Sequence, residues 1–288
     1  MRICAPLRNF INHTSENTPK NFPQMSLYDL LHVTAVPLDI AIGDKSLNRS
    51  NLEKCIESLP ANTDIAVLPE LWSTGYIASP EEASAMAEGI EGESMSLVAT
   101  LSRKKNVAIA GSYLARDNDG KMFNRAFFVE PSGECSFYDK RHLFVLSQEA
   151  SVVAQGKRLS PIIRFRGWNI ALSVCYDIRF PIWNRNTGLK YDLLLVPANW
   201  PSKRGYAWEH LLQARAIENL AYVVGANRSG SDPYGEYNDV TYIFDYMGKP
   251  IGESANGFVS AKLSKERLQK FRSSFPVWKD ADEASIKL

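Results

Sequence analysis

The chain has 288 residues, 45% of them apolar and 23% charged, with a formal net charge of +1. That is enough chain to bury a sizeable core, and it sits at the upper end of what one domain holds. The near-neutral balance offers no bulk electrostatic grip on nucleic acid or lipid, and no apolar run approaches the roughly 20 residues that span a bilayer.

Residues 1–28 hold Asn, Pro, Ser and Thr with little periodicity, together with Arg2 and Arg8, and lack the apolar stretch of a secretory signal. They read as a disordered N-terminal extension, with a mildly basic transit-like segment as the alternative, and 29–288 reads as one domain. From Leu30 onward, short apolar runs alternate with longer amphipathic stretches. A strand is predicted at 31–38, a helix at 46–59, a strand at 64–68 and a long helix at 80–105. Strands follow at 107–112, 125–130 and 168–175, then a helix at 181–188 and a strand at 192–197. A helix at 208–220 carries Leu211, Leu212, Arg215, Ala216 and Asn219 at roughly helical spacing, and a last strand covers 221–226. Several runs are nearly continuous in Val, Ile, Leu and Ala, as strands covered on both faces are. Strands alternating with helices give an α/β fold class.

Strand after strand ends in a polar residue: Glu70, Cys175, Asn199 and Arg228 each follow an apolar run. Active sites in sheets with helical crossovers gather beyond the carboxyl ends of strands, so four such residues make a site. Cys175 stands where a strand turns into the following segment, and a thiolate there can be stabilised by backbone N–H groups and nearby cations; the competing reading is a buried structural thiol. Glu70 lies between apolar neighbours, which should raise its pKa toward that of a working base, unless it is a helix N-terminal carboxylate. Lys140 sits with Asp139, Arg141 and His142 between aromatic residues, where an ammonium can stabilise an oxyanion; alone, the string also reads as a surface loop. Glu149, nine residues on, says little by itself.

The four cysteines, Cys4, Cys55, Cys135 and Cys175, are scattered, which makes neither a disulfide framework nor a zinc pattern. The four histidines are equally dispersed, so neither a metal nor any other cofactor is expected. Reduced thiols fit a cytoplasmic enzyme.

Three strings appear in order: Leu68-Pro69-Glu70, Asp139-Lys140-Arg141-His142-Leu143-Phe144, and Val174-Cys175-Tyr176-Asp177-Ile178-Arg179-Phe180-Pro181. Together they resemble the Glu–Lys–Cys triad of the nitrilase superfamily, the carbon–nitrogen hydrolases, over about 30–284. Tyr176-Asp177 after the cysteine is similar to the amidase branches; true nitrilases typically carry Trp-Glu there and carbamoylases an Asn-Asp segment. The tail from Phe275 to Asp282 is similar to that of bacterial omega-amidases, which hydrolyse the terminal amide of 2-oxoglutaramate or 2-oxosuccinamate.

The resemblance implies a four-layer α-β-β-α sandwich, a homodimer and a small-molecule amide substrate. It implies Glu70 as base, Cys175 as nucleophile, Lys140 and the Tyr176 backbone N–H as oxyanion donors, and Glu149 as a second glutamate orienting Lys140. Arg179 and Arg228 are candidates for a distal carboxylate, with an Arg179–Asp177 salt bridge as the alternative; Tyr76, Asn199 and Trp200 are candidates for the substrate wall. One departure concerns Tyr237-Asn238-Asp239-Val240-Thr241 and Asp245–Gly248, where relatives usually carry Gly-x-Ser and Pro-x-Gly, so the wall near Asp239 is expected to be reshaped. The competing readings are another amidase of the superfamily, acting on a deaminated peptide or carbamoyl substrate; a Cys–His hydrolase using His142 or His210; a metal-dependent phosphohydrolase; and an inactive scaffold.

Overall fold

The apolar runs become strands of two sheets in a computed structural model that describes residues 29–238 and 240–282. The expectations for 1–28 and for the wall at Asp239 lie outside the described residues. The first half runs β1 (Leu30–Ala35), α1 (Lys45–Glu57), β2 (Ile65–Val67), α2 (Pro80–Met86), α3 (Glu93–Lys105), β3 (Ala108–Arg116), β4 (Met122–Val129) and β5 (Cys135–Asp139). The second runs α4 (Glu149–Val152), β6 (Ile163–Phe165), β7 (Trp168–Leu172), β8 (Leu193–Ala198), α5 (Gly205–Asn219), β9 (Tyr222–Asn227), β10 (Ser231–Asp232), β11 (Gly235–Glu236), β12 (Tyr242–Phe244), β13 (Glu253–Ala255), β14 (Phe258–Ser264) and α6 (Lys265–Ser274).

One sheet has the order β13-β14-β1-β2-β3-β4-β5, the other β12-β9-β8-β7-β6, and β10 pairs with β11 alone. Strands β1, β2 and β3 are parallel, as are β7, β8 and β9. Parallel neighbours need crossovers; α1 and α3 supply them in the first sheet and α5 between β8 and β9. Leu31, Val33, Ile65, Val67, Ala110 and Phe128 join Ile170, Leu172, Leu193 and Leu195 in the core between the sheets. The alternate residues Ala66, Leu68, Ile109 and Phe127 pack on Leu52 and Ile56 of α1 and on Met95, Val98 and Leu101 of α3. On the far side, α5 lies against β9 and β12. A Cβ on Gly225 of β9 would stand 2.2 Å from Leu212 and 2.8 Å from Trp208, so the helix reaches its depth only over glycine. The layers are helix, sheet, sheet, helix, the four-layer sandwich that the resemblance implies.

Two predicted helices differ. The stretch 80–105 is two helices, because Glu88 leaves the helix to pair with β3: its N–H donates to Leu114 O (3.1 Å) and its C=O accepts from Arg116 N–H (2.8 Å). The Glu88 carboxylate then accepts from Ser94 N–H (2.8 Å) and starts the second helix. The stretch 181–188 is turns with a 3₁₀ segment at Thr187–Leu189, since asparagine side chains take the backbone partners that a helix would use. Asn184 donates to Asp177 O (2.7 Å), and Asn186 exchanges bonds with both the N–H and the C=O of Tyr191 (2.9 and 2.8 Å).

Candidate active site

The polar residues that end the strands meet at one end of the sandwich. Glu70 follows β2 and Cys175 follows β7 by three residues each, while Lys140 and Asn199 come directly after β5 and β8. The two sheets join there: the Asn199 backbone N–H donates to Glu70 Oε2 at 2.9 Å.

The Lys140 ammonium, 2% exposed, lies between two buried carboxylates. It donates to Glu70 Oε1 at 2.9 Å and to Glu149 Oε1 and Oε2 at 2.7 and 3.0 Å. Glu149 opens α4 and also accepts from the Phe144 N–H at 2.7 Å. Burial works to lower the Lys140 ammonium, but the charges of Glu149 and Glu70, with the Cys175 sulfur, outweigh it and hold it well above the usual lysine range. Glu70 does not sit among apolar groups as its sequence neighbours suggest. It accepts from Lys140, from the Asn199 N–H and from Asn124 Nδ2 (2.7 Å).

Cys175 has φ +43°, the left-handed region that non-glycine residues rarely occupy. A 3₁₀ turn, Cys175–Arg179, starts at this residue. The first bond into the turn runs from Asp177 N–H to Val174 O (2.9 Å), so the Tyr176 N–H precedes the turn's own hydrogen bonding, as orphan donors at helix starts do. Burial first, then the charge of Glu70, push the Cys175 thiol well above the ordinary range, with Lys140 opposing. The arrangement is therefore a neutral thiol beside a carboxylate, with an ammonium alongside.

Asp177, fully buried, joins the cysteine turn to the lysine strand. Its Oδ1 accepts from the His142 N–H and Nδ1 (2.8 Å each), and its Oδ2 from Tyr138 OH (2.7 Å). Tyr138 OH in turn accepts from Trp183 Nε1 (2.8 Å). The Arg179–Asp177 salt bridge offered as an alternative does not form, because these donors already fill the carboxylate. His142 is held on Asp177 and stacked on Phe180 (3.7 Å between rings), while His210 lies exposed on α5 against Tyr206. The largest influences on the Cys175 thiol are burial, Glu70 and Lys140, with the Asn199 backbone after them. Asp177 and Asn124 were not among the sequence candidates. The signal for Asp177 is its place two residues after Cys175, matching His142 two residues after Lys140; Asn124 is a lone amide in an otherwise apolar and aromatic strand.

A family model described as carbon–nitrogen hydrolase matches residues 32–273. The chain belongs to the carbon–nitrogen hydrolase family. It is 37% identical over 258 residues to the omega-amidase YafV of Escherichia coli (strain K12), covering 88% of this chain and 97% of that one. It is 32% identical over 252 residues to a 2-oxoglutaramate amidase of Bacillus subtilis (strain 168), covering 86% and 96%. Among solved structures it is similar to XC1258 of Xanthomonas campestris, a carbon–nitrogen hydrolase superfamily protein with an arsenic adduct in its active site. That match has a TM-score of 0.83 and 33% identity over 90% of this chain and 99% of the other. The protein is a hydrolase of amide carbon–nitrogen bonds, an amidase of the nitrilase superfamily.

The wall candidates of this carbon–nitrogen hydrolase fall into two groups. Arg179 is exposed, and its guanidinium lies over the rings of Trp200 (4.8 Å) and Tyr176 (5.9 Å). Trp200 is buried, with both sides of its peptide clasped by the Asn227 side chain (2.7 and 2.9 Å). Tyr76 is half-buried, edge-on to Tyr234 at 5.3 Å, and burial raises its hydroxyl. It borders a small cavity with Leu71, Asn124 and Glu149. The Asn199 Oδ1 is buried without a hydrogen-bond partner. Arg228 differs from the expectation: it is fully buried, and its donors go to Ser229 O, Asp232 Oδ2, Asp39 Oδ1 and Ile40 O. Four of its five N–H donors are engaged there and its charge faces Asp39 and Asp232, so Arg228 acts as a clamp on the chain. A groove of about 880 Å³ is lined by Arg228, Tyr237, Tyr242 and Phe258 but by none of Glu70, Lys140, Glu149 and Cys175. Among the described residues no three His, Cys, Asp or Glu side chains are grouped as a metal ion requires, and no helix is long and apolar enough to cross a membrane.

Proposed function

We propose that this amidase hydrolyses the terminal amide of a small dicarboxylate monoamide, such as 2-oxoglutaramate or 2-oxosuccinamate, through a thioester on Cys175. The observation that carries the reading is the Lys140 ammonium held between Glu70 and Glu149 beside a thiol that Glu70 and Lys140 perturb. In the first half, the S–H proton passes to Glu70 and the sulfur electron pair attacks the amide carbon. The carbonyl pair moves onto oxygen, which meets the Lys140 ammonium and the Tyr176 N–H. Collapse expels the nitrogen, which takes the proton from Glu70 and leaves as ammonia. In the second half, a water gives a proton to Glu70 as its oxygen attacks the thioester. Collapse releases the acid and a thiolate, which recovers that proton.

Arg179 is the group for the distal carboxylate, since an arginine fork suits a carboxylate and no salt bridge engages it among the described residues. The substrate class is supported by the names of the Escherichia coli and Bacillus subtilis relatives. A homodimer belongs to the same reading. Val145, Leu146, Ile182 and Tyr206 are 76%, 85%, 62% and 78% exposed, large apolar side chains that a second copy could cover; light scattering in solution checks it.

The deciding assay is ammonia release from 2-oxoglutaramate, 2-oxosuccinamate, glutamine, asparagine and a simple nitrile, for wild type and Cys175→Ser. Turnover dominated by the two oxo-amides, with a folded and inactive variant, supports the reading. Dominant turnover of another amide, or an active Cys175→Ser protein, overturns it.

A further inference from the structure

We infer that Asn124 is a positioning residue that fixes which oxygen of Glu70 exchanges the proton. Asn124 sits on β4, 1% exposed, and belongs to a directed chain of hydrogen bonds. The chain starts at the Leu71 N–H, which donates to Ser112 Oγ at 2.9 Å. A backbone N–H can only donate, so the Ser112 hydroxyl proton is free to point onward, and it donates to Asn124 Oδ1 at 2.9 Å. The amide is thereby set with oxygen toward Ser112 and NH₂ toward the carboxylates. Its Nδ2 donates to Glu70 Oε1 at 2.7 Å and, more weakly, to Glu149 Oε1 at 3.3 Å. Carboxylates can only accept, so both ends of the chain demand the same direction.

The consequence falls on Glu70. Oε1 already accepts from Asn124 and Lys140, which occupies both of its lone-pair directions. Oε2 accepts one bond, from the Asn199 N–H at 2.9 Å, and keeps one direction open. The proton from Cys175 and the proton for the leaving nitrogen therefore travel through Oε2. Without the Asn124 donor, the two oxygens become nearly equivalent and the carboxylate can rotate off its line. Ser112 is fully buried and acts one step further back, through Asn124. The inference rests on Glu70 being the base, so the experiment separates the two.

The measurement is the pH dependence of two rates, kcat/KM for ammonia release and alkylation of Cys175 by iodoacetamide, the latter followed on the Cys175 peptide. The proteins are wild type, Asn124→Leu, Ser112→Ala and Glu70→Gln. The titratable groups around the carboxylate are Lys140, Glu149 and Cys175, and all three are retained in the first two variants. Losing a hydrogen bond to a charged group corresponds to a loss of about 10- to 100-fold in kcat/KM for Asn124→Leu, carried by kcat. The acid limb of both profiles moves up by about one pH unit, because a carboxylate that loses a donor holds its proton more tightly. Ser112→Ala moves the limb the same way by less. A folded Asn124→Leu protein with unmoved acid limbs overturns the inference. If Asn124→Leu does not fold, an unmoved limb in Ser112→Ala overturns it instead. Glu70→Gln with wild-type turnover and alkylation would overturn the base assignment itself, independently of what the other two variants show.

Discussion

At Cys175 the backbone and the thiol are both held in unfavourable states. A non-glycine residue at φ +43° carries strain on the order of 1–3 kcal/mol, and the thiol is buried next to a carboxylate. Because burial and Glu70 push the thiol up, its resting form is neutral, and under the proposed mechanism ionisation waits for proton transfer to Glu70. The ultraviolet thiolate absorbance of wild type minus Cys175→Ser should therefore stay flat between about pH 5 and 8, where a free thiol of ordinary pKa is already beginning to ionise. A thiolate signal centred below that upper limit would show a preformed nucleophile and remove the need for a base. Lys140 gives the complementary prediction. Lys140→Met leaves Glu70 and Glu149 buried and facing each other without their cation. The variant should lose activity and about 3–5 kcal/mol of stability at neutral pH, as removal of one partner from a buried ion network does. Denaturant titrations of the variant and wild type check the size of the loss.

At the scale of elements, the site depends on short connections more than on the strands. Gly156 is one of them: its N–H donates to Lys140 O at 2.8 Å, and a Cβ there would stand 2.0 Å from Asp139 O. Gly156→Ala must therefore push the end of β5, and Lys140 with it, away from the loop. Overpacking against backbone costs about 3 kcal/mol, so the thermal midpoint should fall by roughly 5 °C or more. Activity should fall further than the folded fraction does, because the Lys140 ammonium is displaced; an active protein of wild-type midpoint would show that the loop yields freely. The same connections explain what was legible in the sequence. Glu70, Lys140 and Cys175 stood out because each ends an apolar run or sits in an unusual string. Asn124 and Asp177 did not, because a buried amide and a buried carboxylate are recognisable only when their partners, 54 residues away for Asn124 to Glu70 and 39 for Tyr138 to Asp177, are brought together. The break in 80–105 was hidden for a related reason: Glu88 leaves the helix to bond a strand end that periodicity cannot see.

Across the whole molecule, the parallel strands divide chemistry from stability. Runs buried on both faces announced β2, β3, β7, β8 and β9, while β12, β13, β14 and α6, with few continuous apolar residues, escaped notice. Yet α6 anchors the end of the sandwich opposite the site. Arg272 on α6 is 8% exposed and donates to Asp192 Oδ1, Tyr191 O and Leu220 O, each at 2.8 Å. Asp192 precedes β8 and Asn199 follows it, so about 20 Å of extended strand separates this anchor from Glu70 and Cys175. Arg272→Ala takes the side-chain donor from the Leu220 carbonyl, leaves Tyr191 O with Asn186 Nδ2 (2.8 Å) and leaves Asp192 with Lys265 as its remaining cation partner (3.0 Å). The variant should lose about 3 kcal/mol of stability, and the loss should change little with added salt because the pair is sheltered from solvent. The kcat/KM of its folded fraction should match wild type, since a rigid sheet lies between the two ends. A fall in kcat/KM at temperatures where the variant is fully folded would mean that the anchor and the site are coupled through β8, and that the separation of roles along the strands does not hold.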